Sequence, residues 1–146
     1  MTTEASEKLV NEFLLNLKTA LEQKRFKFDS KLIKRHAQLY RFHVKNKVHF
    51  LFIHMNRSKG SWRISSPRRE ISHLISSETI DSAVILLKQP EGKNHPLGFL
   101  IPGDDFINKK SGFTMDLMGL IIIKEKDLSL KDQFNNWDTF FKLLNL

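Results

Sequence analysis

The sequence predicts an α/β (α+β) domain built on a central mixed β-sheet flanked by helices. Three observations carry that expectation. Apolar residues recur at helical spacing near both ends of the chain. Between them lie strand-like runs, of which "VHFLFIHM" and "SAVILLK" are apolar on both faces and suit the interior of a sheet. The elements follow the order α-β-β-β-(α)-β-β-β-α, which fits a sheet with helices packed on it. With 146 residues and no internal repeat or linker, residues 1–146 are expected to form a single domain. Such a chain can bury about two thirds of its unfolded surface without staples.

Leu9, Val10, Phe13, Leu14, Leu17, Ala20 and Leu21 place an amphipathic helix over residues 4–23. Thr3 suits its N-cap, and Glu4 and Glu7 favour the positive end of the helix dipole. "QKRFKFDSKLIKRH" reads as an extended basic segment. "QLYRFHV" (38–44) and "VHFLFIHM" (48–55) are strands, joined through the tight turn "KNK", where Asn46 suits a left-handed conformation. "NRSKG" turns the chain and "SWRIS" begins a third strand. Ser66 and Pro67 mark a helix start. "SAVILLK" (82–88) belongs at the sheet centre, and "LGFLIP" (97–102) pairs back beyond the loop "PEGKNHP". "GDDFINKKSG" is a polar connection and "LIIIKEKDL" (120–128) a last strand. "SLKDQFNNWDTFFKLLNL" closes the chain as a helix whose buried stripe is Phe134, Trp137, Phe140, Phe141 and Leu144.

The charge is uneven. Residues 16–70 hold 15 Lys and Arg against three acidic residues (Glu22, Asp29, Glu70), a net of +12 within a chain whose total is +8. A local field of that size attracts nucleic acid, anionic lipid or an acidic protein, and nucleic acid is the partner expected. A merely solvated basic surface is the bland alternative. The chain has no cysteine, which excludes disulfides, thiolate zinc sites and cysteine nucleophiles and suits a reducing cytoplasm. "MTTEASEKLVNEF" lacks the apolar core of a signal peptide, and no stretch approaches the roughly 18 apolar residues that cross a bilayer. A cytoplasmic protein with no membrane partner is therefore expected.

Nucleotide-binding glycine loops and the nucleophile elbow of hydrolases are missing from the sequence. Four histidines crowd the hairpin. A two-residue turn at Lys45–Asn46 sets Val44 opposite Lys47, which puts His43 and His54 on one face with Arg41, Phe50 and Phe52. His36 and His49 fall on the other face, so the four cannot converge on one zinc ion. They read as half-buried strand histidines, or as phosphate contacts when protonated. Asp104 and Asp105 are adjacent and point apart on a strand, so a turn or helix cap is their expected use. Asp127 and Asp132 are weighed the same way.

Over residues 7–108 the chain resembles the PD-(D/E)xK, or restriction-endonuclease-like, nucleases. The resemblance rests on the amphipathic first helix, the hairpin ending in a small polar turn, "GSWRIS", "DSAVILL" and "GFLIPGDDF". It implies a restriction-endonuclease-like fold. It also implies Mg²⁺ held by an aspartate from one hairpin strand and by an acidic-or-Gln, any residue, Lys triplet from the next. In such a site the metal activates water and stabilises the pentavalent phosphorus. Two alignments are open. In the first, "FIHMN" stands at the triplet strand, with Phe52 for the acidic residue, His54 for the lysine, and Leu39 or Tyr40 for the aspartate. Every metal ligand is then lost. In the second, Asp29 is the catalytic and metal-binding aspartate, His43, Val44 and Lys45 form the triplet, and Glu12 or Glu7 supports the site from the helix. The enzyme would then be a Mg²⁺-dependent endodeoxyribonuclease.

With or without catalysis, the basic residues can grip a phosphate backbone. Lys24, Arg25, Lys27, Lys31, Lys34 and Arg35 flank the hairpin, and Arg57, Lys59, Arg63, Arg68 and Arg69 flank the following turn. Double-stranded DNA is the expected partner, with Arg57 and Lys59 the candidates for base contacts. A palindromic target would imply a homodimer. The reading expected first is a DNA-binding protein with a degenerate or relocated catalytic centre. Its rivals are the active endonuclease and a non-enzymatic inhibitor or accessory protein that meets an acidic partner.

Overall fold

A computed structural model describes residues 3–34, 39–45, 47–55, 60–64, 81–88, 96–103, 105–106, 114–115 and 121–146. Its architecture is mixed α/β, with a central six-stranded mixed sheet. Helix α1 (Thr3–Gln23) leads into β1 (Phe28–Lys34), β2 (Leu39–Val44) and β3 (Lys47–Met55). Next come β4 (Ser61–Ile64), β5 (Asp81–Leu87), β6 (Gly98–Pro102), β7 (Thr114–Met115) and β8 (Ile121–Lys124), then β9 (Gln133–Phe134) and helix α2 (Trp137–Leu143). The six-stranded sheet has the order β1-β2-β3-β5-β6-β9, and β4-β8-β7 form a second, three-stranded sheet. All pairings are antiparallel except β3 with β5.

Strand alternation divides the core in two. Tyr40, Phe42, Val44, Leu51, Ile53, Ala83, Ile85, Leu87 and Leu100 face the helices and pack on Val10, Phe13 and Leu17 of α1 and Phe140 and Phe141 of α2. Leu39, Phe52, Val84, Leu86, Phe99 and Ile101 point the other way, onto Trp62, Ile64, Ile121 and Ile123 of the second sheet. The central strands therefore read apolar on both faces because both faces are covered. Helices α1 and α2 lie on one side, and the small sheet takes the other. Trp62 anchors that sheet: its indole N–H donates to the Leu87 carbonyl at 2.9 Å, and its ring meets Phe99 edge-on at 6.0 Å. Lys88 and Glu125 add an ion pair of 2.7 Å where the two sheets meet.

Several sequence expectations need correction. The apolar run after residue 129 is not one helix. Ser129 caps a 3-10 turn (Leu130–Asp132), Phe134 pairs with Gly98 in β9, and α2 starts only at Trp137. The reason is a capping box: the Asn136 side chain accepts from the Thr139 N–H at 2.8 Å, and the Thr139 hydroxyl oxygen accepts from the Asn136 N–H. The predicted stripe still packs in the helix-side core, with Phe134 supplied from a strand. α1 begins at Thr3 itself, one residue ahead of the expected first turn. The strands at "SWRIS" and "LIIIK" form, but as partners in the small sheet, Trp62 opposite Ile123. Phe106, in the stretch read as a polar connection, is buried against that sheet. The helix expected from Ser66 lies outside the described residues, as does Asn46.

No helix among the described residues is long and apolar enough to cross a membrane.

Candidate nucleic-acid interface

The extended basic segment becomes β1, the edge strand beside β2. α1 stops ahead of it because the chain reverses at Arg25. The Phe26 N–H donates to the Leu21 carbonyl and the Arg25 N–H to that of Glu22, while Arg25 itself takes φ 63°. This is a Schellman ending whose left-handed position, usually glycine, holds an arginine. The hairpin turn repeats the pattern: Lys45 has φ 53°, and Val44 faces Lys47 as the sequence predicts. The Lys45 ammonium lies 4.3 Å from the centroid of the Phe26 ring, so the two turns meet at one corner.

Register fixes what the sheet presents on the side away from the helices. Lys31 stands opposite Arg41, Arg41 opposite Phe50, and Phe50 opposite Ser82. One step nearer the hairpin turn, Asp29 stands opposite His43 and His43 opposite Val48. One step the other way, Leu39 stands opposite Phe52 and Phe52 opposite Val84. Burial falls along these three rows. Leu39, Phe52 and Val84 are sealed beneath the second sheet, Arg41, Phe50 and Ser82 are half-buried, and Asp29, Lys31 and His43 are exposed. The small sheet's cover ends at the middle row.

Lys31 and Arg41 thus form a like-charge cross-strand pair, and among the described residues neither has an ion-pair partner. Opposed like charges cost stability, roughly 0.2–1 kcal/mol, unless an anion bridges them. Phe50 beside them is half-buried. Sequence reasoning had Arg41 and Phe50 on the correct face through strand parity but did not count them as site residues. Parity alone does not show where the cover stops.

The other predicted residues are dispersed. Lys24 is drawn to the helix side, 3.3 Å from Asp138 and 5.3 Å from the Phe141 ring centroid. Arg25 and Lys27 are exposed at the α1–β1 turn, and Lys34 ends β1. Arg63 is exposed on the outer face of the small sheet. Arg35, Arg57, Lys59, Arg68 and Arg69 lie outside the described residues. Of the nuclease set, Asp29 and His43 are brought together as direct partners. Lys45 leans over Phe26 on the helix side, and Glu12 is on the solvent face of α1, with the sheet between it and Asp29. At the first alignment's positions, Phe52 and Leu39 are dry core. His54 is 6% exposed, its Nε2 meets no hydrogen-bond partner among the described residues, and burial lowers its pKa to about 4. His49 is also buried, and on the opposite face, as parity required.

Magnesium asks for a shell of oxygen ligands. The Asp29–His43 pair offers one carboxylate beside two cations, and among the described residues no three His, Asp or Glu side chains cluster to hold a metal. Asp29 would supply one oxygen ligand of such a shell. Compared with known proteins, the chain matches no protein-family model and no curated protein sequence.

Proposed function

We propose that the protein binds nucleic acid, with the open row of the sheet face and the adjoining corner of basic turns as its contact surface. The observation that carries this reading is the unpaired Lys31–Arg41 opposition. Two cations are held on one face at a cost to folding, within a segment of net charge +12. Phosphate oxygens would neutralise both, and Lys27, Arg25, Lys45 and Lys47, all exposed, extend the field toward the hairpin turn. DNA is the partner in which this surface is first to be tested.

A salt titration of binding, read by fluorescence anisotropy on a labelled oligonucleotide, tests the reading. With about six phosphate contacts, log K falls against log salt with a slope near −5 on duplex DNA. Replacing Lys31 and Arg41 together by Gln should make that slope shallower by about 2. No binding at low salt, or a slope unchanged in the double variant, would sink this reading.

One observation favours the endonuclease as a second reading: Asp29 and His43 face each other across the strands. Incubation of plasmid with Mg²⁺ or Mn²⁺ addresses it, and cutting that persists in Asp29→Ala excludes Asp29 as the metal-binding carboxylate.

A further inference from the structure

The geometry points to single-stranded nucleic acid as the ligand of this surface, with one base stacked on Phe50 and the backbone held by Lys31 and Arg41. The inference rests on the nucleic-acid reading above and specifies its substrate class.

Phe50 occupies an unusual place in the burial gradient. Two residues along β3, Phe52 is wholly buried, and two residues the other way Val48 stands beside the exposed His43. Among the described residues Phe50 is the aromatic side chain at this boundary, packed against the inter-sheet core and half-buried. Its two same-face neighbours are Arg41 on β2 and Ser82 on β5, and Lys31 lies one strand further out. Adjacent strands are separated by about 4.8 Å, so the row Lys31–Arg41–Phe50–Ser82 spans about 14 Å. Cations therefore sit on one side of the ring and a hydroxyl on the other.

A half-buried ring on a sheet face does not reach the stacked bases of duplex DNA, which are edged by phosphates. An unpaired base has a free face. It can lie on an aromatic platform while basic residues follow its backbone, and this arrangement tolerates any base because each has a π-face. The Ser82 hydroxyl is placed to meet a base edge. Asp29, two residues from Lys31 on the same face, bounds the row on the hairpin side and directs the backbone along the cations.

The test compares four labelled probes of equal length at fixed salt: oligo-dT, oligo-U, duplex DNA, and oligo-dT with its central bases removed to leave abasic sites. The expected result is tighter binding of oligo-dT than of duplex. Removal of the bases, or Phe50→Leu, should each weaken oligo-dT binding about 10-fold, with no further loss when combined. Phe50→Tyr, which keeps the ring, should retain the affinity. The abasic comparison on the unaltered protein stands even where Phe50→Leu perturbs folding. Equal affinity for duplex, intact and abasic strands would overturn the stacking platform while leaving nucleic-acid binding in place. Failure of all probes to bind at low salt would overturn both. Oligo-U against oligo-dT separates RNA from DNA as the source of the strand.

Discussion

His54 contributes a pH dependence to the stability of the fold. Its ring lies in the apolar layer between the sheets, paired in register with Leu86, and burial holds its pKa near 4 instead of 6.5. The folded state therefore resists the proton that the unfolded chain accepts. Stability is complete above pH 6.5 and declines as pH falls from 6.5 toward 4, after which this residue contributes no further change. At pH 5.5 the loss from His54 is on the order of 1 kcal/mol. Among the described residues its Nε2 meets no partner, which adds the cost of a buried polar atom that has left water without replacement. His54→Leu should accordingly raise the unfolding free energy at pH 7 by about 1 kcal/mol, measured by urea denaturation, and flatten the decline between pH 7 and 5.5. A variant with the same acid profile as the parent would show that another group is responsible.

Among the elements, the small sheet depends on few contacts and is the more vulnerable layer. β4 has four residues, of which only Trp62 and Ile64 reach the core. Trp62 does double work there, filling space against Phe99 and satisfying the Leu87 carbonyl at the end of β5. Trp62→Phe keeps most of the apolar burial and removes the donor, so a loss of about 1–3 kcal/mol is expected in urea denaturation. A loss below about 0.5 kcal/mol would mean the carbonyl finds another partner. The helix-side layer has more redundancy, since Phe13, Phe134, Trp137, Phe140 and Phe141 meet one another through several edge and stacked contacts. Gly98 joins the two layers of constraint: a Cβ there would collide with the Leu86 carbonyl oxygen, so only glycine lets β6 lie against β5 and accept Phe134.

At the scale of the whole molecule, like charges oppose folding on the face proposed to bind nucleic acid. Lys31→Glu would face Arg41 with an opposite charge instead of a like one. It should stabilise the fold by about 0.5 kcal/mol and at the same time weaken nucleic-acid binding. Opposite movement of the two measurements is the signature of a charge pair maintained for binding. Parallel loss of both would mark Lys31 as structural. The two left-handed basic residues fit the same pattern, for Arg25 and Lys45 occupy backbone positions where glycine or asparagine is cheaper.

The chain's own residues determined a good deal. Period 3.6 in α1, period 2 and double-sided apolarity in β3 and β5, and the two-residue turn fixed the elements, the hairpin register and the separation of His49 from His54. These follow from local geometry, in which a side chain's direction is set by its neighbours in sequence. The tertiary structure alone decided the rest. It placed "SWRIS" and "LIIIK" in a second sheet, because strand pairing over long separations leaves no local trace. It broke the closing run at Asn136, where a capping side chain outweighed helical periodicity. It also brought Asp29 opposite His43 and Lys31 opposite Arg41, and ended the small sheet's cover between Phe52 and Phe50. Which side chains stay open depends on what covers them, and that is a property of distant parts of the chain.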